Sequence, residues 1–156
     1  MTIYKYSNDC VTLTKSGRKQ LCNLTNFDMI LCSDNCFHQG KNIHIEQSKV
    51  LSIKGFWFNT IKIPFNANLY VCKREKVSRE YAEFISASEL LTNDNWQKYY
   101  ICTFAHFFDG VMDDAVYDRE LAWIPFRVED EDKFTDVVCI EIEENRNPVI
   151  NNILTA

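Results

Sequence analysis

Apolar and polar residues alternate along most of the chain, and this two-residue period predicts β-strands. The pattern is clear in residues 2–7, 10–15, 27–33, 42–47, 50–65 and 68–74. Asn8 and Asp9 separate the first two of these segments and predict a hairpin turn between them. The segment 50–65 is predicted to form two strands or one bent strand, because Gly55 within a strand pattern often marks a bulge. The first half of the chain is therefore expected to be mostly β-sheet.

A helical pattern occurs in residues 78–92. Ser78 can cap the first turn, but the apolar stripe that begins at Tyr81 is interrupted at Ser88. A strand over 81–87 followed by a short helix is the alternative interpretation. The sequence leaves the choice between these two open.

The last third of the chain is predicted to add further strands. Residues 98–108 are rich in aromatic, β-prone residues, and residues 119–128 alternate again. An acidic loop of about eight to ten residues is expected between them, which is longer than the usual hairpin connection. Residues 136–144 predict another strand. Its inward side chains are expected to be Val138, Ile140 and Ile142, and the side chains on the opposite face are expected to be Val137, Cys139, Glu141 and Glu143.

Length and composition favour one domain of the α+β class. The chain has 156 residues, of which 46% are hydrophobic and 13% aromatic, and this is enough apolar surface for one ordered core. We therefore predict a single domain over residues 1–156, predominantly antiparallel β with one or two short helices. No cofactor is expected, because the chain has only four Gly and lacks a Gly-rich phosphate loop.

Cysteine usage predicts a cytoplasmic protein. The seven cysteines are an odd number without a regular framework, and most lie among apolar neighbours, as buried free thiols do. Such thiols are typical of a reducing compartment. The first residues lack the basic and apolar segments of a signal peptide, and the uncharged run 99–108 is about half the length of a membrane-spanning helix. We expect no membrane contact.

Charge is distributed unevenly along the sequence. Residues 1–108 carry 13 Lys and Arg against 9 Asp and Glu, a net charge of +4, whereas residues 109–156 carry 4 against 13, a net charge of −9. Phosphate contacts require Lys and Arg, so the acidic third is not expected to bind nucleic acid. A basic partner is favoured instead.

Carboxylates and aromatic rings are closely spaced in residues 109–132, which makes this stretch the candidate partner-binding surface. Aromatic side chains combined with complementary charge are typical of the residues that dominate protein interfaces. The candidate residues are Asp109, Asp113, Asp114, Tyr117, Asp118, Glu120, Trp123, Glu129, Asp130, Glu131 and Asp132. A merely solvated loop and a divalent-metal site are the alternative interpretations, although the spacing matches no EF-hand.

Two further groups of residues could carry chemistry. Cys102 and His106 have the same parity along the predicted strand and could form a thiol–imidazole pair, or His106 could be an ordinary core histidine. A second set has the donor types that zinc prefers, although its spacing is irregular: Cys32, Cys36, His38 and His44. The alternative interpretation is that these residues are ordinary buried thiols and surface histidines.

The sequence therefore predicts a non-enzymatic acidic protein that captures a basic protein partner. An immunity or inhibitor protein that neutralises a cationic toxin, such as a nuclease, would be one instance, because carboxylates steer a basic partner and mimic phosphates. The alternatives are a metal-dependent hydrolase that uses Asp113, Asp114 and Asp118, and a thiol enzyme that uses His106.

Overall fold

The computed structural model describes residues 2–155, and its regular elements are mainly antiparallel strands. The strands are β1 (Tyr4–Ser7), β2 (Val11–Thr14), β3 (Gly17–Gln20), β4 (Met29–Leu31), β5 (Phe37–Lys54), β6 (Ile61–Pro64), β7 (Asn68–Lys73), β8 (Glu83–Ser86), β9 (Tyr99–Phe104), β10 (Val116–Asp118), β11 (Leu121–Ile124), β12 (Arg127–Ile142), β13 (Val149–Ile150) and β14 (Ile153–Leu154). Over the described residues there is one short α-helix, α1 (Ala87–Leu91), and the 3₁₀ turns are Leu21–Asn23, Arg79–Tyr81, Thr92–Lys98, Ala105–Phe107 and Glu143–Asn145.

Two sheets contain the strands of residues 2–155. The first has the order β1-β12-β5-β4-β2-β3, with β6 also paired to β5. The second has the order β10-β11-β9-β14-β13, with β7 paired to β9 and β8 to β7. All of these pairings are antiparallel, so the prediction of a mostly antiparallel β-protein with a short helix is confirmed. The strand content is higher than the α+β class implies.

The central strands of the second sheet are buried on both faces. In β9, Ile101 packs into the larger core, whereas Phe104 packs into a smaller core on the other side. In β11, Ile124 likewise packs into the larger core and Trp123 into the smaller one. Burial of both faces removes the need for polar residues, which is why these strands are continuous apolar runs.

The strand at 136–144 has the predicted two faces. Val138, Ile140 and Ile142 lie in the larger core, as expected for the inward set. Val137 and Cys139 lie on the opposite side, in a small buried group with Val50 of β5. The two-residue period therefore predicted correctly which side chains share a face.

The first predicted hairpin is wrong. β1 pairs with β12 near the other end of the chain, and β2 pairs with β3. Asn8 and Asp9 thus connect strands that are not hydrogen-bonded partners. A local turn signal predicts a change of direction but not which strand becomes the neighbour, because pairing depends on distant segments.

Two other ambiguous segments are resolved by the structure. Residues 78–92 contain a 3₁₀ turn, strand β8 and then α1, so the continuous helix is wrong and the alternative of a strand before a short helix is nearly correct. Gly55 follows the end of β5 rather than forming a bulge. A Cβ at this position would overlap the ring of Phe58, which explains why glycine is needed there. In the described part of the chain no helix is long and apolar enough to cross a membrane.

Candidate functional site

The beginning and the end of the described chain meet through two buried hydroxyl groups. Tyr6 of β1 and Thr155, which follows β14, have their side-chain oxygens 2.8 Å apart. The Thr155 hydroxyl donates to the carbonyl oxygen of Pro148 at 2.7 Å. Because this hydroxyl has one hydrogen, Tyr6 must be the donor in the first contact. The result is a directed chain of hydrogen bonds from Tyr6 through Thr155 to Pro148.

Neighbouring residues extend this contact. Tyr4 donates its hydroxyl hydrogen to the Asn147 side-chain oxygen, and the backbone N–H of Ser33 donates to the carbonyl of Asn147 at 2.8 Å. Cys32, just before Ser33, forms an isolated antiparallel bridge with Pro148. We call the group formed by Tyr4, Tyr6, Cys32, Asn147 and Thr155 the terminal junction.

A tight hairpin positions the C-terminal side of the terminal junction. β13 and β14 are joined by Asn151 and Asn152, whose φ angles are +50° and +69°. Two central residues with positive φ form the type of turn that matches strand twist, and Asn tolerates this conformation better than most residues. Sequence therefore determines this turn locally.

Asn151 also fixes the hairpin to the rest of the fold. Its side-chain oxygen accepts from the N–H of Val11 at 2.7 Å, and its amide nitrogen donates to the carbonyls of Asn59 and Thr60 at 3.0 and 3.2 Å. Its own backbone N–H donates to the Val11 carbonyl at 2.8 Å. These bonds link the last strands to β2 and to the loop before β6.

The hydroxyl and thiol groups of the terminal junction are protonated at neutral pH. Burial raises the pKa of Tyr6 far above the usual range for a phenol, and the Thr155 hydrogen bond only partly opposes this. Burial, and then the proximity of Cys32, raises the pKa of Tyr4. Burial, with a smaller effect of Asp34, raises the pKa of Cys32 to about 12. In the resting fold these groups act as hydrogen-bond donors rather than as anions.

Chemically, the terminal junction places neutral nucleophile types beside the two ends of the domain. A hydroxyl and a thiol are groups that can attack a carbonyl once a base removes a proton, and a side-chain amide can orient such a group. Cys32 follows β4 and Asn147 precedes β13, so the fold brings both to the contact between β1 and Thr155.

The carboxylates predicted to form a partner-binding surface fall into two groups, one around β10 of the second sheet and one on β12 of the first. Asp109, Asp113 and Asp114 precede β10, Asp118 ends β10, and Glu120 lies in the next turn. The remaining predicted carboxylates lie in β12, in the other sheet: Glu129, Asp130, Glu131 and Asp132. Sequence proximity predicts one loop followed by one polar turn, and the polar turn is wrong because these four residues lie within β12.

Several of these carboxylates are paired with cations from the first two thirds of the chain. Lys54 binds both Glu129 and Glu131, and Lys49 lies 2.9 Å from Asp132. The hydrogen bonds from Lys54 hold the pKa of Glu129 and of Glu131 below the usual value. The expected excess of negative potential on β12 is therefore reduced by neighbouring lysines.

The pairing continues around β10. Arg79 binds Glu120 at 3.0 Å through its guanidinium and donates its backbone N–H to Asp118 at 2.9 Å. Asp114 accepts from the indole N–H of Trp57 at 2.6 Å. Asp109, Asp113 and Asp130 are exposed. Binding of a basic protein to these residues stays a prediction.

The two aromatic candidates differ in exposure. Tyr117 is half-exposed, and its hydroxyl accepts from the backbone N–H of Met112 at 2.9 Å. Trp123 is fully buried in the smaller core beside Tyr70, so the prediction that its ring lies at a contact surface is wrong. The run of four apolar residues in β11 is the signal that could have indicated burial on both faces.

The catalytic alternatives do not assemble. Asp114 and Asp118 are engaged by Trp57 and Arg79, and within residues 2–155 the Asp113, Asp114 and Asp118 carboxylates do not form a metal-binding group. The metal site that the alternative of a metal-dependent hydrolase requires is therefore not formed among the described residues.

The proposed thiol–imidazole pair is also wrong. β9 ends at Phe104, and the 3₁₀ turn that follows breaks the parity that placed His106 beside Cys102. Cys102 is fully buried, and burial raises its pKa strongly, whereas His106 is exposed and stacks on Phe104.

The four residues considered for zinc also separate. His38 binds Asp34 at 2.7 Å, whereas His44 lies farther along β5 and contacts Glu46. Cys32 is buried at the terminal junction, and Cys36 is exposed. Over the described chain these four do not form one metal-binding group.

Sequence reasoning considered Cys32 only as a zinc ligand and missed the other residues of the terminal junction. Tyr6 and Thr155 are separated by 149 positions, and neither belongs to a recognisable motif. The consecutive asparagines between two short apolar pairs near the end of the chain were a usable hairpin signal. That signal indicates the turn but not its contact with β2.

Comparison with known proteins gives a consistent result at the level of fold. No protein-family model matches this chain, and no curated protein sequence does. A DnaB intein from Synechocystis sp. PCC 6803 is similar over 97% of this chain and 96% of its own, with 13% identity and a TM-score of 0.65. A DnaX mini intein from Spirulina platensis is similar over 97% and 98%, with 17% identity and a TM-score of 0.62.

A third similar structure is the AceL NrdHF class 3 split intein, solved as a splice-inactive variant. It covers 96% of this chain and 98% of its own, with 12% identity and a TM-score of 0.61. The expectation of an immunity or inhibitor protein is wrong, because the similar structures are inteins rather than toxin-binding proteins. This chain shares the intein fold over nearly its whole length.

Proposed function

We propose that this chain is an intein-like self-processing domain that cleaves or rearranges peptide bonds at its own ends. The observation that carries the proposal is the contact between Tyr6 and Thr155, which brings the start and the end of an intein fold together. Joining or releasing two flanking segments requires that both scissile bonds lie near one site. Processing of this kind is autocatalytic, in contrast to the non-enzymatic role expected from charge alone.

Two residues of the terminal junction are the candidates for this chemistry. The splice-inactive class 3 split intein carries Cys-to-Ala and Asn-to-Ala replacements. The terminal junction contains one residue of each type, Cys32 and Asn147. The Cys32 thiol can attack the carbonyl of a flanking peptide bond, so that an S–C bond forms, the C–N bond breaks and the departing amine takes the thiol proton. The Asn147 side-chain amide can orient that carbonyl by hydrogen bonding.

The state of Cys32 predicts the pH dependence. Its pKa is raised to about 12, so the thiolate fraction at neutral pH is small and grows tenfold with each pH unit. If Cys32 is the nucleophile, the processing rate rises from pH 6 to pH 9. The rate does not level off, because the thiolate is still the minor form throughout this range. A rate that is flat over this range would assign the nucleophile to another group.

The direct test places the 156 residues in frame between two reporter proteins of different mass. Self-processing produces a joined pair of reporters or separated fragments, which gel electrophoresis and intact-mass measurement distinguish. Cys32→Ser and Asn147→Ala are expected to abolish or strongly slow product formation. Cys36→Ser and Asn68→Ala change exposed residues of the same types and serve as matched controls.

Each outcome has a defined meaning. A full-length precursor that stays intact across the whole pH range, while folded by circular dichroism, contradicts self-processing. If Cys32→Ser and Asn147→Ala form products as fast as the unmodified chain, the self-processing function stands but these two residues do not carry it.

A further inference from the structure

A cluster of side chains outside the terminal junction combines three metal-binding donor types. His44 and Glu46 lie on β5, and Cys139 lies on β12. One ligand atom from each, a ring nitrogen, a carboxylate oxygen and Sγ, lies within 4.8 Å of the other two. Among residues 2–155 this is the one group of three or more such residues whose donors come this close together.

The register of the first sheet creates the cluster. Cys139 is directly opposite His44 in the β5–β12 ladder and directly opposite Lys5 in the β1–β12 ladder. Glu46 follows His44 by two positions, so both side chains project from the same face of β5. Directly opposed residues in neighbouring strands lie closest together, and the backbone of three paired strands therefore fixes the positions of the donors.

The hydrogen bonds orient the two exposed ligands. Nδ1 of His44 lies 2.7 Å from the carbonyl oxygen of Asn42 and must carry the hydrogen in this contact. In the neutral ring this leaves the Nε2 lone pair directed toward Oε1 of Glu46, 3.3 Å away. Histidines that bind a metal through one ring nitrogen commonly donate the N–H of the other to a backbone carbonyl, as Nδ1 of His44 does here.

Glu46 divides its two oxygens between separate partners. Oε2 binds the ammonium of Lys5 at 2.9 Å, whereas Oε1 faces His44. Oε1 can therefore bind a cation without breaking the ion pair with Lys5. Lys5 also compensates part of the negative charge that a thiolate at Cys139 would add.

We infer that Nε2 of His44, Oε1 of Glu46 and Sγ of Cys139 form a zinc-binding site. Thiolate, imidazole and carboxylate are zinc donors, and a thiolate disfavours Mg²⁺ and Ca²⁺, which prefer oxygen. On binding, the Cys139 thiol releases its proton to solvent, and no group is oxidised or reduced. His44 and Glu46 are exposed and provide access, and Cys139 is buried beneath them. Three protein ligands leave the fourth zinc position for water.

Cobalt titration of the full chain tests this site. Co²⁺ is the spectroscopic probe, and Zn²⁺ is then added to displace it. The expected result is one bound Co²⁺ with a thiolate-to-cobalt charge-transfer band that Zn²⁺ removes. Cys139→Ser should abolish this band. His44→Ala should raise the Zn²⁺ dissociation constant by about tenfold or more, since even the loss of an outer-shell partner of a metal ligand has an effect of this size.

Matched variants separate this site from other thiols and imidazoles. Cys22→Ser and Cys36→Ser remove exposed thiols and should keep the band. His38→Ala is the control for His44→Ala. Because Cys139 is buried, circular dichroism checks that its variant is folded, and His44→Ala changes an exposed ring and gives an independent test.

Three outcomes would overturn the inference. The first is the absence of a charge-transfer band in the unmodified chain. The second is a band that survives in folded Cys139→Ser or disappears in Cys36→Ser. The third is equal zinc affinity of His44→Ala and the unmodified chain.

Discussion

The buried hydroxyl pair of the terminal junction has a measurable energetic role. Tyr6→Phe removes the bond to Thr155 and should destabilise the fold by about 1 kcal/mol, the usual net value of a hydrogen bond. Thr155→Val removes this bond and the bond from Thr155 to the Pro148 carbonyl, and should cost about 2 kcal/mol. In the double variant the total loss should be smaller than the sum, because both changes remove the Tyr6–Thr155 bond. Urea unfolding of the four proteins measures the coupling. Strictly additive effects would show that the two hydroxyls do not interact in solution.

Asp28 is a residue whose charge should stabilise the fold in a pH-dependent manner. Its buried carboxylate binds Lys19 at 2.7 Å and the N–H of Thr25 at 2.8 Å. Burial acts to raise the pKa of Asp28, but these partners lower it below the usual value. A folded-state pKa below the unfolded one gives stability that is present above the unfolded value and lost as pH falls through the folded value.

The corresponding variant is Asp28→Asn. We expect a loss of about 1.5–3 kcal/mol at pH 7, the range for hydrogen bonds to a charged group, and a smaller loss below about pH 4. Urea unfolding at pH 7 and pH 3 measures both values. Asp113→Asn changes an exposed carboxylate and should have little effect at either pH. An equal penalty for Asp28→Asn at the two pH values would contradict the assigned role of its charge.

At the scale of elements, the β13–β14 hairpin depends on Asn151 more than on Asn152. Both have positive φ, but the Asn151 side chain makes three partly buried bonds to β2 and to the loop before β6, whereas the Asn152 side chain accepts an exposed bond from Arg18. Glycine tolerates the same backbone conformation, so replacement by Gly isolates the side-chain bonds.

Asn151→Gly should therefore destabilise the protein by about 1–3 kcal/mol, because it leaves backbone groups without partners. Asn152→Gly is the matched control and should be nearly neutral. Urea unfolding gives the free energies, and hydrogen exchange at the Val11 amide reports the local bond. Equal effects of the two variants would mean that the turn conformation, and not the side-chain bonds, holds the hairpin.

At the scale of the whole molecule, the meeting of the two chain ends predicts that the fold tolerates circular permutation. A flexible linker of about ten residues should connect the ends at a small entropic cost. New ends between Gly110 and Val111 fall in an exposed loop and should give a folded protein. New ends between Val138 and Cys139 interrupt β12 in the middle of the first sheet and should prevent folding.

Circular dichroism and urea unfolding show which of the two permutants folds. An unfolded permutant with ends at Gly110 and Val111 would contradict the closeness of the original ends.

Function at this scale was predicted incorrectly because charge was counted along the sequence. The acidic third does carry a net charge of −9, but Lys49, Lys54 and Arg79 come from earlier segments and pair with its carboxylates. The fold, and not the composition, decides which charges become neighbours. Similarity to inteins therefore became visible only from the arrangement of the strands.

The sequence by itself determined the features that depend on local period. The alternation of apolar and polar residues predicted most strands and the inward face of β12, since side chains two positions apart share a face regardless of the partner strand. The lack of long helical patterns and the scattered cysteines likewise indicated a β-rich protein with free thiols, as the described residues show.

Tertiary structure alone decided everything that joins distant segments. It placed β1 against β12, buried Trp123 in the smaller core, brought Tyr6 to Thr155 and set Cys139 opposite His44. Each of these contacts depends on strand order and register, which minimise the free energy of the whole core and leave no periodic signal in the chain. Both candidate sites of this protein consist of such contacts, and for this reason neither could be predicted from the sequence.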